Sequence, residues 1–130
     1  MMDKLKTHTD KRGCLTLAEM GNEIPFQITR AYWIYDVPAE AERGKHANKI
    51  SYQYLVALNG SVEITLEDKN GRKSYHLDSK DKGLLVPPLT WNELTSFSQD
   101  AVLLVLASHC YDPDTYINSH DEFMEYIKDK

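Results

Sequence analysis

Cysteine is nearly absent: Cys14 and Cys110 are the only two in 130 residues. One pair makes no disulfide framework, which excludes the small stapled scaffolds of oxidising compartments and predicts two free, buried thiols. Glycine and proline are sparse, with 6 and 5 copies, which excludes collagenous and low-complexity chains. No apolar run approaches the roughly 20 residues of a membrane span; the longest, Ala101 to Ala107, is far shorter. The opening MMDKLKTHTDKRG has no apolar stretch, so no secretory leader and a cytoplasmic location are expected. Basic residues are outnumbered, 15 to 20, for a formal net charge of −5. That deficit argues against nucleic acid as a partner, because such affinity comes mainly from cations on phosphates. It leaves room for a local basic pocket that takes one phosphorylated small molecule.

What is present is an ordinary globular composition, 42% apolar and 27% charged. Its length predicts one domain over 1–130. Short strands dominate the pattern. Cys14 to Glu19 alternates, and Ile28 to Tyr35 is rich in aromatic and β-branched residues. Gln53 to Leu58 ends at the turn signal Asn59-Gly60, and Val62, Ile64 and Leu66 alternate with Glu63 and Thr65. Asn70-Gly71 then predicts a hairpin returning through Arg72 to Leu77. Leu84 to Pro87 is short, and the continuous apolar run Ala101 to Ala107 predicts a strand buried on both faces. Near the end, Asp112-Pro113 reads as an N-cap with proline at the first helical position. Ser119 and Glu122 match a capping box, and Phe123 and Ile127 share one helical face. Seven or more short strands followed by a short C-terminal helix predict an all-β sandwich or barrel.

The informative stretch is Arg43-Gly44-Lys45-His46-Ala47-Asn48, continuing to Gln53 and Gly60. It resembles the first motif of the cupin family, with His46 in place, Asn48 at the second histidine, Gln53 at the glutamate and Gly60 closing the pattern. Gly83 to Pro87 resembles the second cupin motif, whose histidine position falls on Asn92, after Trp91. The resemblance implies a cupin jelly-roll barrel. Metal cupins hold a divalent ion with three histidines and one glutamate. Here three of those four positions are amides, poor transition-metal ligands beside imidazole or carboxylate, so no bound metal and no cofactor are expected.

Further stretches extend the pattern: Asp10 with Arg12-Gly13, Ile24-Pro25-Phe26, Arg30 with Tyr32, Leu58-Asn59-Gly60, Trp91 with Glu93, Leu106-Ala107-Ser108, Tyr111-Asp112 and Tyr116-Ile117. In this order they resemble the WxcM-like family, which contains the dTDP-4-dehydro-6-deoxyglucose 3,4-ketoisomerases. The resemblance covers nearly the whole chain. It implies a metal-free homodimer with exchanged strands, acting on a dTDP-linked keto-deoxysugar in the making of surface polysaccharide.

Moving a ketone from C4 to C3 is proton transfer and needs a base that titrates near neutrality, donors for the enediolate oxygen and cations for the diphosphate. His46 is the candidate base. Asn48 cannot take a proton but can donate to the enediolate or position the sugar. Tyr35 joins the catalytic set and Tyr32 the substrate contacts; three apart, they lie on opposite faces of a regular strand, so one of the two points inward. Arg12 and Arg43 are candidates for the diphosphate or sugar, and Arg30 for a pocket position or a buried ion pair. Gln53 and Asn92 are expected to contact substrate, while Trp91 either stacks on a base or sugar or packs in the core. Glu93 reads as an exposed loop acid, and His8, His76, His109 and His120 are given no role. Because Asn48 and Asn92 stand where relatives carry histidine, two other readings remain: a nucleotide-sugar-binding cupin without turnover, and a related epimerase-type proton transfer.

Overall fold

The computed structural model describes residues 2–130. The chain opens with β1 (Met2–Lys4), β2 (Lys6–Asp10) and β3 (Gly13–Leu17). The body comprises β4 (Arg30–Tyr35), β5 (Arg43–Asn48), β6 (Gln53–Asn59), β7 (Val62–Asp68), β8 (Gly71–Leu77), β9 (Lys82–Val86), β10 (Trp91–Thr95) and β11 (Val102–Ala107). A one-turn 3₁₀ helix (Pro113–Thr115), β12 (Tyr116–Ile117) and α1 (His120–Ile127) complete it. The sheets run β1-β9-β6-β11-β4 and β12-β5-β10-β7-β8, with β2 and β3 forming a separate hairpin. From β4 to β11 successive strands switch sheets, except at the β7–β8 hairpin. This is the all-β jelly roll with a short C-terminal helix that the strand pattern and the cupin motifs predicted.

The period-2 pleat sorts each strand into an inner and an outer face. Inner residues Leu55, Ala57, Leu84, Leu103 and Val105 of the first sheet meet Val62, Ile64, Leu77 and Leu94 of the second in one core. Outer faces are covered separately. Phe123 and Ile127 of α1 pack on Ala47, Trp91 and Ile117, and Ile24, Phe26 and Ile28 lie over Tyr54 and Val56. Ser119 caps α1 by accepting from the Glu122 amide at 3.3 Å, and Asp112 caps the 3₁₀ turn with proline at its start.

Several expectations are corrected. β11 is buried on its inner face and half-buried on its outer one, because no layer covers the outer face completely. The β7–β8 turn sits one residue early: Asp68 pairs with Gly71, leaving Lys69 and Asn70 as the loop, with the positive φ at Gly71. Both cysteines are exposed, since Cys14 lies on the protruding hairpin and Cys110 follows the end of β11. β5 and β10 were hidden by their polar sequences RGKHAN and WNELT. Among the described residues no helix is long and apolar enough to cross a membrane.

Candidate active site

The site begins with a break in the pleat. Between β5 and β10, Asn92 pairs with His46 and Glu93 with Gly44, so Lys45 is an extra residue. Gly44 and Lys45 both take positive φ, 77° and 59°, as a bulge requires. Without the bulge, Arg43 and His46 would face opposite sides of the strand. With it, both line one cavity of about 270 Å³ in the barrel mouth. A side chain at residue 44 has no room, since a Cβ there would stand 3.0 Å from the Asn92 carbonyl oxygen.

The cavity gathers Arg30, Tyr32, Arg43, His46, Gln53 and Asn92 from the strands over a floor of Ile34, Leu55, Leu94 and Val105. A second wall comes from the C-terminal strap, as Tyr111, Pro113, Tyr116 and Asn118. Two of the lining residues are arginines and none is a carboxylate, so the cavity is an anion site.

His46 sits edge-on to Tyr116, with ring centres 4.8 Å apart. Burial, reinforced by the Arg43 guanidinium, holds its imidazole below the ordinary value of 6.5, so the ring is a neutral base at pH 7. Its carbonyl accepts from Asn92 Nδ2 at 3.2 Å. Arg30 donates from Nη2 to Tyr116 Oη at 3.3 Å and lies over the rings of Tyr32 and Tyr111, at 4.8 and 5.7 Å. Its Nε is buried without a partner. An unmet buried donor on a half-buried guanidinium is costly unless an acceptor arrives. Gln53 Nε2 donates to Tyr32 Oη at 3.1 Å, and burial raises the Tyr32 phenol, so it stays protonated.

Of the ten residues singled out, six meet here: Arg30, Tyr32, Arg43, His46, Gln53 and Asn92. Four do not line the cavity. Tyr35 points outward and is 58% exposed; the pleat of β4 gives the inner face to Tyr32. Trp91 is buried on the outer face against Phe123, because it neighbours inward-facing Asn92. Arg12 lies at the tip of the β2–β3 hairpin, paired with Asp10 at 2.8 Å. Asn48 spends its amide on structure: Oδ1 accepts from the Ile50 and Ser51 amides at 2.9 and 2.7 Å, and Nδ2 donates to Thr115 Oγ1 at 3.1 Å. Glu93 is no free loop acid. It lies on β10, accepts from Trp91 Nε1 at 2.9 Å and pairs with Arg72. Arg72 also pairs with Glu67, whose Oε1 meets His120 Nε2 at 2.6 Å and anchors the start of α1. Sequence reasoning missed Tyr111, Tyr116 and Asn118. The available signal was the pair Tyr111-Asp112 and Tyr116-Ile117, which stands in the family pattern without a role in the site.

Comparison with known proteins identifies relatives along nearly the whole chain. Residues 1–128 match the family described as FdtA: WxcM-like, C-terminal. A TDP-4-oxo-6-deoxy-alpha-D-glucose-3,4-oxoisomerase of Aneurinibacillus thermoaerophilus is 46% identical over 118 residues, covering 91% of this chain and 85% of its own. The sugar 3,4-ketoisomerase QdtA of Thermoanaerobacterium thermosaccharolyticum, solved in complex with TDP, superposes with a TM-score of 0.93 at 40% identity, covering 98% and 93% of the two chains. A QdtA variant with one histidine replaced by asparagine, solved in complex with TDP-4-keto-6-deoxyglucose, superposes with a TM-score of 0.94 at 38% identity, covering 100% and 94%.

Proposed function

Because the chain belongs to the WxcM-like family of FdtA type, we infer that it is a sugar-nucleotide 3,4-ketoisomerase. It moves the keto group of a dTDP-4-dehydro-6-deoxyhexose from C4 to C3 in deoxysugar biosynthesis. The observation that carries this reading is a cavity lined by two arginines and one half-buried imidazole, with no carboxylate among its lining residues. Such a lining accepts an anionic substrate and takes one proton.

In the mechanism we propose, His46 removes the hydrogen from C3, and the electron pair moves toward the C4 carbonyl to give an enediolate. The C3 hydroxyl proton passes to the C4 oxygen as the C3 carbonyl forms, and C4 takes a proton from the imidazolium after that group has exchanged with solvent. The chemistry balances without a redox cofactor. Arg30 presents its unpaired Nε and Tyr32 its hydroxyl to the sugar oxygens, Gln53 orients Tyr32, and Arg43 meets the diphosphate. One imidazole is too poor a donor set for a tight divalent site. Asn92 replaces a histidine of some relatives and sits beside His46, where it contacts the sugar at C4.

The working unit we propose is one domain, 1–130, in a homodimer with exchanged strands. The β2–β3 hairpin is exposed along all of β2 and at Leu15 of β3, which is 58% exposed. The outer face of the first sheet shows Trp33, Tyr35 and Leu58 to solvent. A second copy is the occupant that buries both. In that dimer Arg12, at the hairpin tip, contacts the substrate of the neighbouring subunit. A cytoplasmic location and a product destined for surface polysaccharide go with this reading, since a charged nucleotide sugar does not cross a membrane unaided.

The test is NMR of the enzyme with dTDP-4-dehydro-6-deoxyglucose in deuterated water. The 3-keto isomer, with deuterium at C4, is expected. Binding without turnover or exchange at either carbon would instead establish a sugar-binding cupin. Light scattering at micromolar concentration should give a dimer mass, and a monomer overturns the exchanged-strand arrangement.

A further inference from the structure

We propose that Asn48 is a positioning residue: through Thr115 it fixes the strap, residues 111–118, so that Tyr116 stands against His46. The strap supplies one wall of the cavity, yet its regular pairing is limited to β12, where Tyr116 lies opposite Asn48 and Ile117 opposite Ala47. Two bonds to Thr115 close the arrangement: its carbonyl accepts from the Lys49 amide at 2.8 Å, and its hydroxyl accepts from Asn48 Nδ2 at 3.1 Å.

The directions of these bonds restrict the residue at position 48. Thr115 Oγ1 donates its only proton to the Asp112 carbonyl at 2.7 Å, so it offers position 48 lone pairs alone. Position 48 must therefore donate toward Thr115. It must also accept from two backbone amides, those of Ile50 and Ser51. An amide side chain does both at once. A carboxylate keeps the two acceptor bonds but faces the Thr115 lone pairs without a proton. An imidazole has a single acceptor nitrogen and cannot serve both amides. Asn48 is thus matched to holding the strap: its Oδ1 serves two amides, one Nδ2 hydrogen serves Thr115, and the side chain does not line the cavity.

What the strap delivers to the site is Tyr116. Its ring covers one side of His46 and its hydroxyl receives Arg30 Nη2. The charged and titratable groups around the His46 side of the cavity are Arg43 on the same strand, Arg30 and Tyr32 on β4, and Tyr116 and Tyr111 on the strap; Asn92 on β10 is neutral. Loosening the strap admits water to the imidazole and leaves its charged neighbours on the strands in place.

Thr115→Val is the decisive variant, because it changes no charge and almost no volume. It removes both side-chain bonds of Thr115, the one from Asn48 and the one to the Asp112 carbonyl, and should raise KM about tenfold, with a smaller change in kcat. Thr115→Ser, which keeps the hydroxyl, should restore wild-type values. Asn48→Asp, which breaks only the bond between residues 48 and 115, should raise KM by no more than Thr115→Val does, and combining the two should add little, because Thr115→Val has already removed that bond. The kinetic arm rests on the ketoisomerase reading. A second arm does not: the His46 imidazole, followed by NMR without substrate, should titrate at higher pH in Thr115→Val than in wild type and at the wild-type position in Thr115→Ser. If turnover is absent but this shift appears, the positioning role stands and the reaction assignment falls. An unshifted imidazole in folded Thr115→Val overturns the proposal. So do effects of Asn48→Asp and Thr115→Val that multiply in the double variant, which would give Asn48 its own contact with substrate.

Discussion

The two halves of the barrel interior are made by the same strands and are filled in opposite ways. Inward positions run Arg30, Tyr32, Ile34 on β4, Gln53, Leu55, Ala57 on β6, and Asn92, Leu94 on β10. Each begins polar at the mouth and turns apolar toward the closed end, where Val62, Ile64, Leu77 and Leu103 pack with at most 1% of their surface exposed. Leu55, Leu94 and Val105 belong to both halves, as cavity floor and as core. The contrast separates two jobs within one sheet pair. Burial at the closed end stabilises the fold, so the mouth can hold features that are unfavourable in isolation: an arginine Nε without a partner, two positive-φ residues in succession and a desolvated imidazole.

The division predicts that each half can be damaged without the other. The largest effect belongs to the mouth. His46→Asn should cut kcat by about 100- to 10,000-fold, as loss of a general base does, with the melting temperature and dTDP affinity nearly unchanged. At the closed end, Leu103→Ala empties a fully buried site and should cost about 2–5 kcal/mol of stability, measured by denaturant unfolding. The kcat of its folded fraction should match wild type. Loss of folding in the first variant, or of kcat at full folding in the second, would break the contrast.

The closed end was largely legible in the sequence, and the mouth only in part. Val62, Ile64 and Leu66 announce their face by alternation, and the capping pair Ser119 and Glu122 announces α1. The identity of the polar residues also carried information: His46, Arg43, Arg30 and Gln53, singled out by type and spacing, line one cavity. Their geometry was less accessible. Trp91, open in the sequence between stacking on substrate and packing in the core, is decided by the pleat: the strand neighbour of inward-facing Asn92 cannot share its face. Arg43 and His46 share one only because of the bulge, whose trace in the sequence is a single glycine. Tyr116 could not be placed beside His46 by any local pattern. That contact depends on β12 pairing with β5 across just over half the chain.

The bulge supplies the next prediction, which sharpens the boundary between the halves. Gly44→Ala puts a side chain on a positive-φ residue and into the Asn92 carbonyl. It should cost roughly 1–3 kcal/mol and misdirect Arg43 and His46 together, so that KM rises and kcat falls while the apolar half stays folded. Gly71→Ala, at a positive φ but with open space around it, is the control. It shares the backbone strain without the collision and should leave both kinetic constants unchanged. Equal kinetic losses in the two would mean that strain alone, without displacement of the site, explains the first.

The smallest effect concerns only the position of a pH limb. A rate that needs neutral His46 falls as pH drops through the folded-state value of that group, which burial and then Arg43 hold below 6.5. The limb of kcat/KM should therefore lie on the acid side of 6.5. Arg43→Met removes the neighbouring charge and keeps the burial, so the limb should move to higher pH without reaching the ordinary imidazole value, on top of the rise in KM from the lost diphosphate contact. Stability gives an independent reading with a fixed sign. Below 6.5 the unfolded chain binds this proton more readily than the folded one. The contribution of His46 to stability is therefore complete above that pH and declines as pH falls through the folded-state value. With Arg43→Met the two values approach each other and the decline shrinks. A limb that stays in place while KM rises would assign Arg43 to the diphosphate alone and leave burial as the sole cause of the lowered imidazole.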